Sequence, residues 1–249
     1  MQYMMHIQDY SKIRQDSEGI LVVDKPCGVT SHTVVNWARK TFGVRKIGHT
    51  GTLDPLASGM LLVLVGRKYT KQQQKYLKLD KEYAVVFELG HATDTYDCSG
   101  AEVKRASVSE VMSLSEKRIK DSILSFVGEV EQEVPLYSAV KRKGKKLYEL
   151  ARSNTAGEVV LPIKKVTIYS ISDIHIWQNS DSAKRFVSCT ILCSSGCYIR
   201  SLVNDIGLQL SVGATMTALR RKKIGEFELD STAICPVIPA KWFRIPVSG

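Results

Sequence analysis

Apolar and polar positions along the chain change their period several times, and each change marks an element. Gly19–Val23 is a short apolar run that stops at Asp24-Lys25-Pro26, which predicts a strand. From Ser31 the apolar residues Val34, Val35, Ala38 and Phe42 recur at helical spacing, with Ser31 as the expected cap and Gly43 as the stop. Met60–Val65 is continuously apolar, the pattern of a strand buried on both faces. Lys81–Leu89 alternates instead, placing Tyr83, Val85, Phe87 and Leu89 on one face of a half-buried strand. A turn-rich loop is expected over 91–100. A helix over Glu116–Val127 would turn Ile119, Ile123, Phe126 and Val127 inward and end at Gly128. Further on, a short helix at Leu147–Arg152, strand-like runs over 158–177 and 185–193, and a helix starting near Ile199 complete the pattern. Strands and helices mixed without a regular βαβ alternation make the fold class α+β.

Between the first helix and the apolar strand lies KIGHTGTLDPLASG, residues 46–59. Its glycines Gly48 and Gly51 allow a tightly folded loop, and Asp54 is held out of helical geometry by Pro55. A carboxylate on such a loop has the fixed direction that catalysis requires, although Asp before Pro also serves simply to open a turn. The segment GVRKIGHT (43–50) has the glycine spacing of a phosphate-binding loop, but His49 stands where the lysine belongs, and the preceding segment is helical. Nucleotide triphosphate binding is therefore not expected.

Composition narrows the class. The chain has 249 residues, 44% hydrophobic and 24% charged, with a formal charge of +10. That is the composition of a soluble globular protein with a bias towards polyanionic partners. The longest apolar run is too short for a membrane span, and the N-terminus lacks a signal-peptide pattern, so a cytoplasmic protein is expected. Cys189, Cys193 and Cys197 are spaced four apart without a CxxC pair or a nearby histidine, which reads as buried free thiols and no metal site.

Five further stretches take the reading past composition: DKPCGVTSHTVV (24–35), KEYAVVFELGHATDTYDCSG (81–100), VPLYSAVKRKGKKLYELAR (134–152), SSGCYIRSLVNDIG (194–207) and ALRRKKIG (218–225). Together with the Asp54 loop, and in this order, they resemble the TruB family, the tRNA pseudouridine-55 synthases. The resemblance implies the pseudouridine synthase fold, a mixed, largely antiparallel sheet with flanking helices and loops around a central RNA-binding cleft. Residues 1–18, polar and aperiodic, are expected to be loosely ordered; the resemblance makes 19–227 the catalytic domain and leaves 228–249 as a short tail. That tail is too short for the C-terminal RNA-binding domain usual in the family, so an isolated T-arm hairpin is expected to be modified nearly as well as whole tRNA.

The activity implied is isomerisation of the T-arm uridine of tRNA, with base flipping, by a cytoplasmic monomer that needs no cofactor, metal or membrane. The resemblance makes Asp54 the catalytic aspartate, Arg200 its charged partner, and Tyr83 the residue that stacks on the target base near its proton transfer. It makes His49 the residue that fills the T-loop gap left by the flipped base, and Tyr198 and Leu219 the lining of the uracil pocket. Lys25 joins the RNA-binding set. The basic run Lys141, Arg142, Lys143, Lys145 and Lys146 has the composition of a phosphate-binding loop, and Arg220–Lys223 forms a second basic cluster. The same isomerisation on another RNA, or an RNA-folding module without chemistry, are the alternatives, and retention of both Asp54 and Arg200 argues against the second.

Overall fold

The computed structural model describes residues 18–138, 140–142, 145–146, 161–179, 183–229, 233–234 and 236, with side chains omitted at 141, 142, 145 and 146. The expectations for the N-terminal segment, for a helix at 147–152 and for most of the tail lie outside the described residues. In chain order the elements are β1 (Gly19–Lys25), α1 (Ser31–Phe42), β2 (Ile47–Thr50), β3 (Ser58–Val65), α2 (Arg67–Thr70), α3 (Gln73–Leu77), β4 (Lys81–Leu89), β5 (His91–Thr93), β6 (Glu102–Arg105), α4 (Val108–Ser113), α5 (Glu116–Leu124), β7 (Gly128–Glu133), β8 (Lys141–Arg142), β9 (Lys145–Lys146), β10 (Ile163–Asn179), β11 (Lys184–Cys193), α6 (Ile199–Gln209), β12 (Ala214–Ile224) and β13 (Phe227–Glu228). They form two compact units, residues 1–84 with 219–249, and residues 85–218. The chain passes from one to the other within β4 and returns within β12.

The first unit is built around β3. It pairs antiparallel with β1 from Gly19↔Val65 to Lys25↔Gly59, and its distal half also pairs antiparallel with β2, from Ile47↔Val65 to Thr50↔Leu62. At its start it runs parallel to β12, with Arg220↔Ser58 and Arg221↔Gly59. Met60–Val65 is at most 2% exposed because both faces are covered. One face packs with Leu21, Val23, Val34, Val35, Ala38 and Phe42; the other packs with Tyr69, Tyr76, Ile224 and Phe227. The continuous apolar run thus meets the two-sided burial that it predicts. Gly43 ends α1 in the left-handed conformation, at φ 67°. The cap, however, is Thr30, whose hydroxyl accepts the Thr33 N–H at 3.0 Å. Ser31 is the first helical residue, and its hydroxyl is used elsewhere.

In the second unit the strand order is β4-β11-β10-β7, and β10 is antiparallel to both β11 and β7. The 17-residue β10 starts later than the run expected over 158–177 and continues to Asn179, and it breaks register between Ile168 and Ser170 and between Ser172 and His175. Helix α4, absent from the sequence reading, starts at a reciprocal capping box between Ser107 and Glu110. Helix α5 ends at Leu124, one turn early, and Val127 is 43% exposed rather than inward. Cys189 and Cys193 are buried on β11, where burial pushes the Cys189 thiol up to about 12; Cys197 lies beyond the strand. Among the described residues no helix is long and apolar enough to cross a membrane.

Candidate active site

The first unit holds Asp54 on a loop between β2 and β3 whose backbone is tied down on both sides of the carboxylate. Just before it, the Ser31 hydroxyl accepts the Leu53 N–H at 2.8 Å and donates to the Leu53 carbonyl at 3.1 Å. Just after it, the Gly28 N–H donates to the Pro55 carbonyl at 2.8 Å and the Cys27 thiol to Leu56 at 3.1 Å. The Ala57 N–H closes a turn onto the Asp54 carbonyl at 3.1 Å. The segment 27–31, part of the DKPCGVTSHTVV motif, is therefore the bracket that holds the aspartate loop. A residue whose neighbours are fixed in this way has little freedom left, which is what a positioned carboxylate needs.

A second tether comes from β12. Arg221, 1% exposed, donates from Nε to the Met60 carbonyl at 2.7 Å and from Nη2 to the Gly51 carbonyl at 3.1 Å. Gly59 has φ 98°, and a Cβ there would sit 2.4 Å from the Arg221 carbonyl oxygen. Only glycine permits this approach.

Lys25 is completely buried, and its ammonium donates to the Pro26 and Val29 carbonyls at 2.9 and 2.8 Å. Its side chain has no exposed surface. Burial lowers its pKa to about 8, while the Cys27 and Asp54 charges pull upward and Arg221 downward. His49 sits on β2 with its carbonyl accepting from the Gln73 amide at 2.8 Å. Burial first, then the charges of Arg221 and His32, lower its pKa to about 4, so the ring is neutral at physiological pH. Tyr83 on β4 and Leu219 on β12 are 8% and 9% exposed in this same unit. The cluster at Arg220–Lys223 is largely neutralised within the protein: Arg220 makes a bidentate pair with Asp24 at 3.0 and 2.7 Å, Lys222 pairs with Glu82 and Lys223 with Glu228.

The second unit carries Arg200 and Tyr198 at the start of α6. Gln132 fixes the Tyr198 backbone by accepting its N–H at 3.0 Å and donating to its carbonyl at 3.3 Å. Lys164 Nζ lies 5.9 Å from the Tyr198 ring centre. Arg200, 5% exposed, donates to the Tyr137 carbonyl at 2.8 Å and to the Thr95 carbonyl at 3.4 Å. The loop that presents Thr95 is organised by Asp97, a residue the sequence reading did not single out. Its carboxylate accepts from the Thr95 hydroxyl and the Ser99 N–H, each at 2.9 Å. Arg200 and Asp54 thus belong to different units, each with its own local scaffold. The basic run forms a small antiparallel hairpin, Lys141↔Lys146 and Arg142↔Lys145; Lys143 and the other four side chains lie outside the described residues.

Sequence reasoning also missed Ser31 and Arg221 as supports of the aspartate loop. Arg221 had a usable signal: on a strand it lies two residues from Leu219 and hence on the same face. Ser31 had none, since a serine at a helix start reads as a cap.

The model of the TruB family pseudouridylate synthase N-terminal domain matches residues 39–199, and that of the tRNA pseudouridylate synthase B C-terminal domain matches 200–235. The second match begins inside α6, within the stretch expected to be catalytic domain. A tRNA pseudouridine synthase B from Fusobacterium nucleatum is 43% identical over 86% of this chain and 70% of its own length; one from Clostridium kluyveri is 44% identical over 87% and 71%. A solved Cbf5-Nop10-Gar1 complex is similar with a TM-score of 0.63 and 32% identity, covering 92% of this chain and 54% of that one, so the chain spans about half the length of that structure. The chain belongs to the TruB family of pseudouridylate synthases.

Proposed function

We propose that this protein converts uridine 55 in the T arm of tRNA to pseudouridine, acting as a cytoplasmic monomer. In that reaction the C1′–N1 bond breaks, the uracil turns, and a C1′–C5 bond forms; the proton lost from C5 is balanced by one gained at N1. The target base must first leave the folded loop, which costs a few kcal/mol. The observation that carries the reading is the fixation of Asp54, the one carboxylate of the loop between β2 and β3, by bonds to Leu53, Pro55 and Leu56 around it. A carboxylate so placed serves as nucleophile or stabiliser at an oxocarbenium-like C1′. Tyr83, Tyr198 and Leu219 supply the base contacts that the family motifs assign, Arg200 the charge, and the neutral ring of His49 a stacking surface for the space the flipped base leaves.

Phosphate binding is supported by a face of the first unit. Residues 39–50 and 66–79 contain nine Lys and Arg and no Asp or Glu, and α1, α2 and α3 of these segments all pack on β2, which carries His49. Arg39 is used internally, on Asn36 and the Ile47 carbonyl. Arg45, Lys46, Arg67, Lys68, Lys71, Lys75 and Lys78 are exposed and make no ion pair among the described residues, whereas on α5 Lys117 and Lys120 are paired with Asp121 and Glu116. A face of one sign is the footprint of a polyanion. Purified protein incubated with unmodified tRNA and mapped for pseudouridine tests the reading: product at position 55 alone is expected, and product at another site, or none, overturns it.

A further inference from the structure

Arg221 is the largest of the fully buried side chains in the described residues. A buried guanidinium is costly unless its donors are satisfied, and a buried charge usually has an opposite charge beside it. Here the hydrogen bonds go to backbone carbonyls, those of Gly51 and Met60, and no carboxylate bonds it among the described residues. Gly51 opens the loop that carries Asp54, and Met60 lies on β3 just beyond its other end. One side chain therefore fixes the span of that loop, and its backbone is packed so close to Gly59 that no larger residue fits there. Burial first, and the Arg221 charge in addition, push both His49 and Lys25 towards neutrality.

We infer that Arg221 is a positioning residue for the isomerisation: by holding the Gly51 and Met60 carbonyls it sets where the Asp54 carboxylate points, and it places a positive charge beneath the loop. Nothing in this role requires contact with RNA, since Arg221 has no accessible surface to offer it. The inference rests on Asp54 being the catalytic group. A misplacement of about 1 Å at a reacting group costs on the order of a hundredfold in rate, so small losses of tension in the loop are visible in turnover.

The test is single-turnover pseudouridine formation at saturating T-arm RNA, with RNA affinity and thermal unfolding measured on the same samples. Arg221→Lys retains the charge but reaches only one of the two carbonyls, and Arg221→Met removes both bonds. The expected result for Arg221→Lys is a cooperatively folded protein whose RNA affinity stays within about threefold while its rate falls about thirtyfold or more. Arg221→Met, if it folds, falls further. Ser31→Ala, which loosens the other tether, gives the same separation of rate from binding. A residue that only stabilises the fold would leave the rate of folded protein unchanged, so an Arg221→Lys rate within threefold of wild type overturns the inference. Asp54→Asn is run alongside: if it is active, the reading of Asp54 fails; if it is inactive while Arg221→Lys is fully active, only the role of Arg221 fails.

Discussion

At the scale of single residues, burial decides what each ionisable group in the first unit contributes. His49 is the clearest case, because its imidazole is depressed to about 4 by burial and by the Arg221 and His32 charges. The unfolded chain takes up this proton near pH 6.5, so between pH 6.5 and 4 it binds more protons than the folded one. The folded state therefore loses stability as pH falls through that window, and the loss from His49 is complete below about 4. The shift corresponds to at most about 3 kcal/mol. His49→Asn should flatten the acid limb of the stability curve between pH 6.5 and 4 relative to wild type, as followed by thermal unfolding. Asp205, raised to about 6 by burial, works in the opposite direction, and its contribution cancels in the comparison because both proteins contain it. An unchanged acid limb in the variant would show that His49 does not carry this burden. The neutral ring also fits a residue meant to lie against bases, since a charged imidazolium would have to be desolvated to stack.

At the scale of elements, the Gly51–Met60 loop depends on contacts that lie outside it. Gly59 allows β3 to start against Arg221, and an alanine there would force a Cβ to 2.4 Å from a backbone oxygen at φ 98°. Gly59→Ala should destabilise the protein by about 3 kcal/mol or more, combining left-handed strain with backbone displacement, and should abolish turnover; chemical denaturation reads the first and pseudouridine formation the second. A stability loss under 1 kcal/mol would mean that β3 and β12 are free to separate. The elements themselves were legible where one period dominated. The Met60–Val65 run, the alternation of Lys81–Leu89 and the α1 face all stand in the structure as the pattern predicts. The misses were at element ends and in tertiary roles. Helix α5 stops at Leu124 although Phe126 and Val127 continue the helical spacing, because the chain is already turning into β7. Thr30 rather than Ser31 caps α1 because the Ser31 hydroxyl is occupied by Leu53 across 22 positions of sequence, a contact no local pattern records. Asp54 was visible through its glycine-rich loop; the face that Arg221 shares with Leu219 shows only that it points inward, and its bonds to Met60 and Gly51 span 161 and 170 positions of sequence, which no local pattern records.

At the scale of the whole molecule, the net charge of +10 is unevenly placed. Lys165 on β10, Lys184 on β11 and Lys117 and Lys120 on α5 pair with carboxylates, while Arg45, Lys46, Arg67, Lys68, Lys71, Lys75 and Lys78 around β2 make no ion pair among the described residues; Glu18, at the edge, accepts the Lys68 backbone N–H at 3.3 Å. Replacing Arg67, Lys68, Lys71 and Lys75 together by Gln should weaken T-arm binding and flatten its salt dependence. Each phosphate contact contributes about 0.9 to the slope of log affinity against log salt on a duplex, so a loss of two to three in slope is expected. The rate at saturating RNA should stay close to wild type, because none of the four touches the Asp54 loop. An unchanged slope would show that this face points into solvent during binding and that the phosphates are held elsewhere.

The most direct measurement is the single-turnover yield of pseudouridine at position 55 with Asp54→Asn, made with RNA affinity measured in parallel. The substitution keeps the shape of the side chain and its place between Leu53 and Pro55 but removes the charge and the nucleophile. The predicted result is no detectable product together with T-arm affinity within about threefold of wild type. A rate within tenfold of wild type would contradict the account, since the chemistry would then have to come from a group other than the one this loop is built to hold.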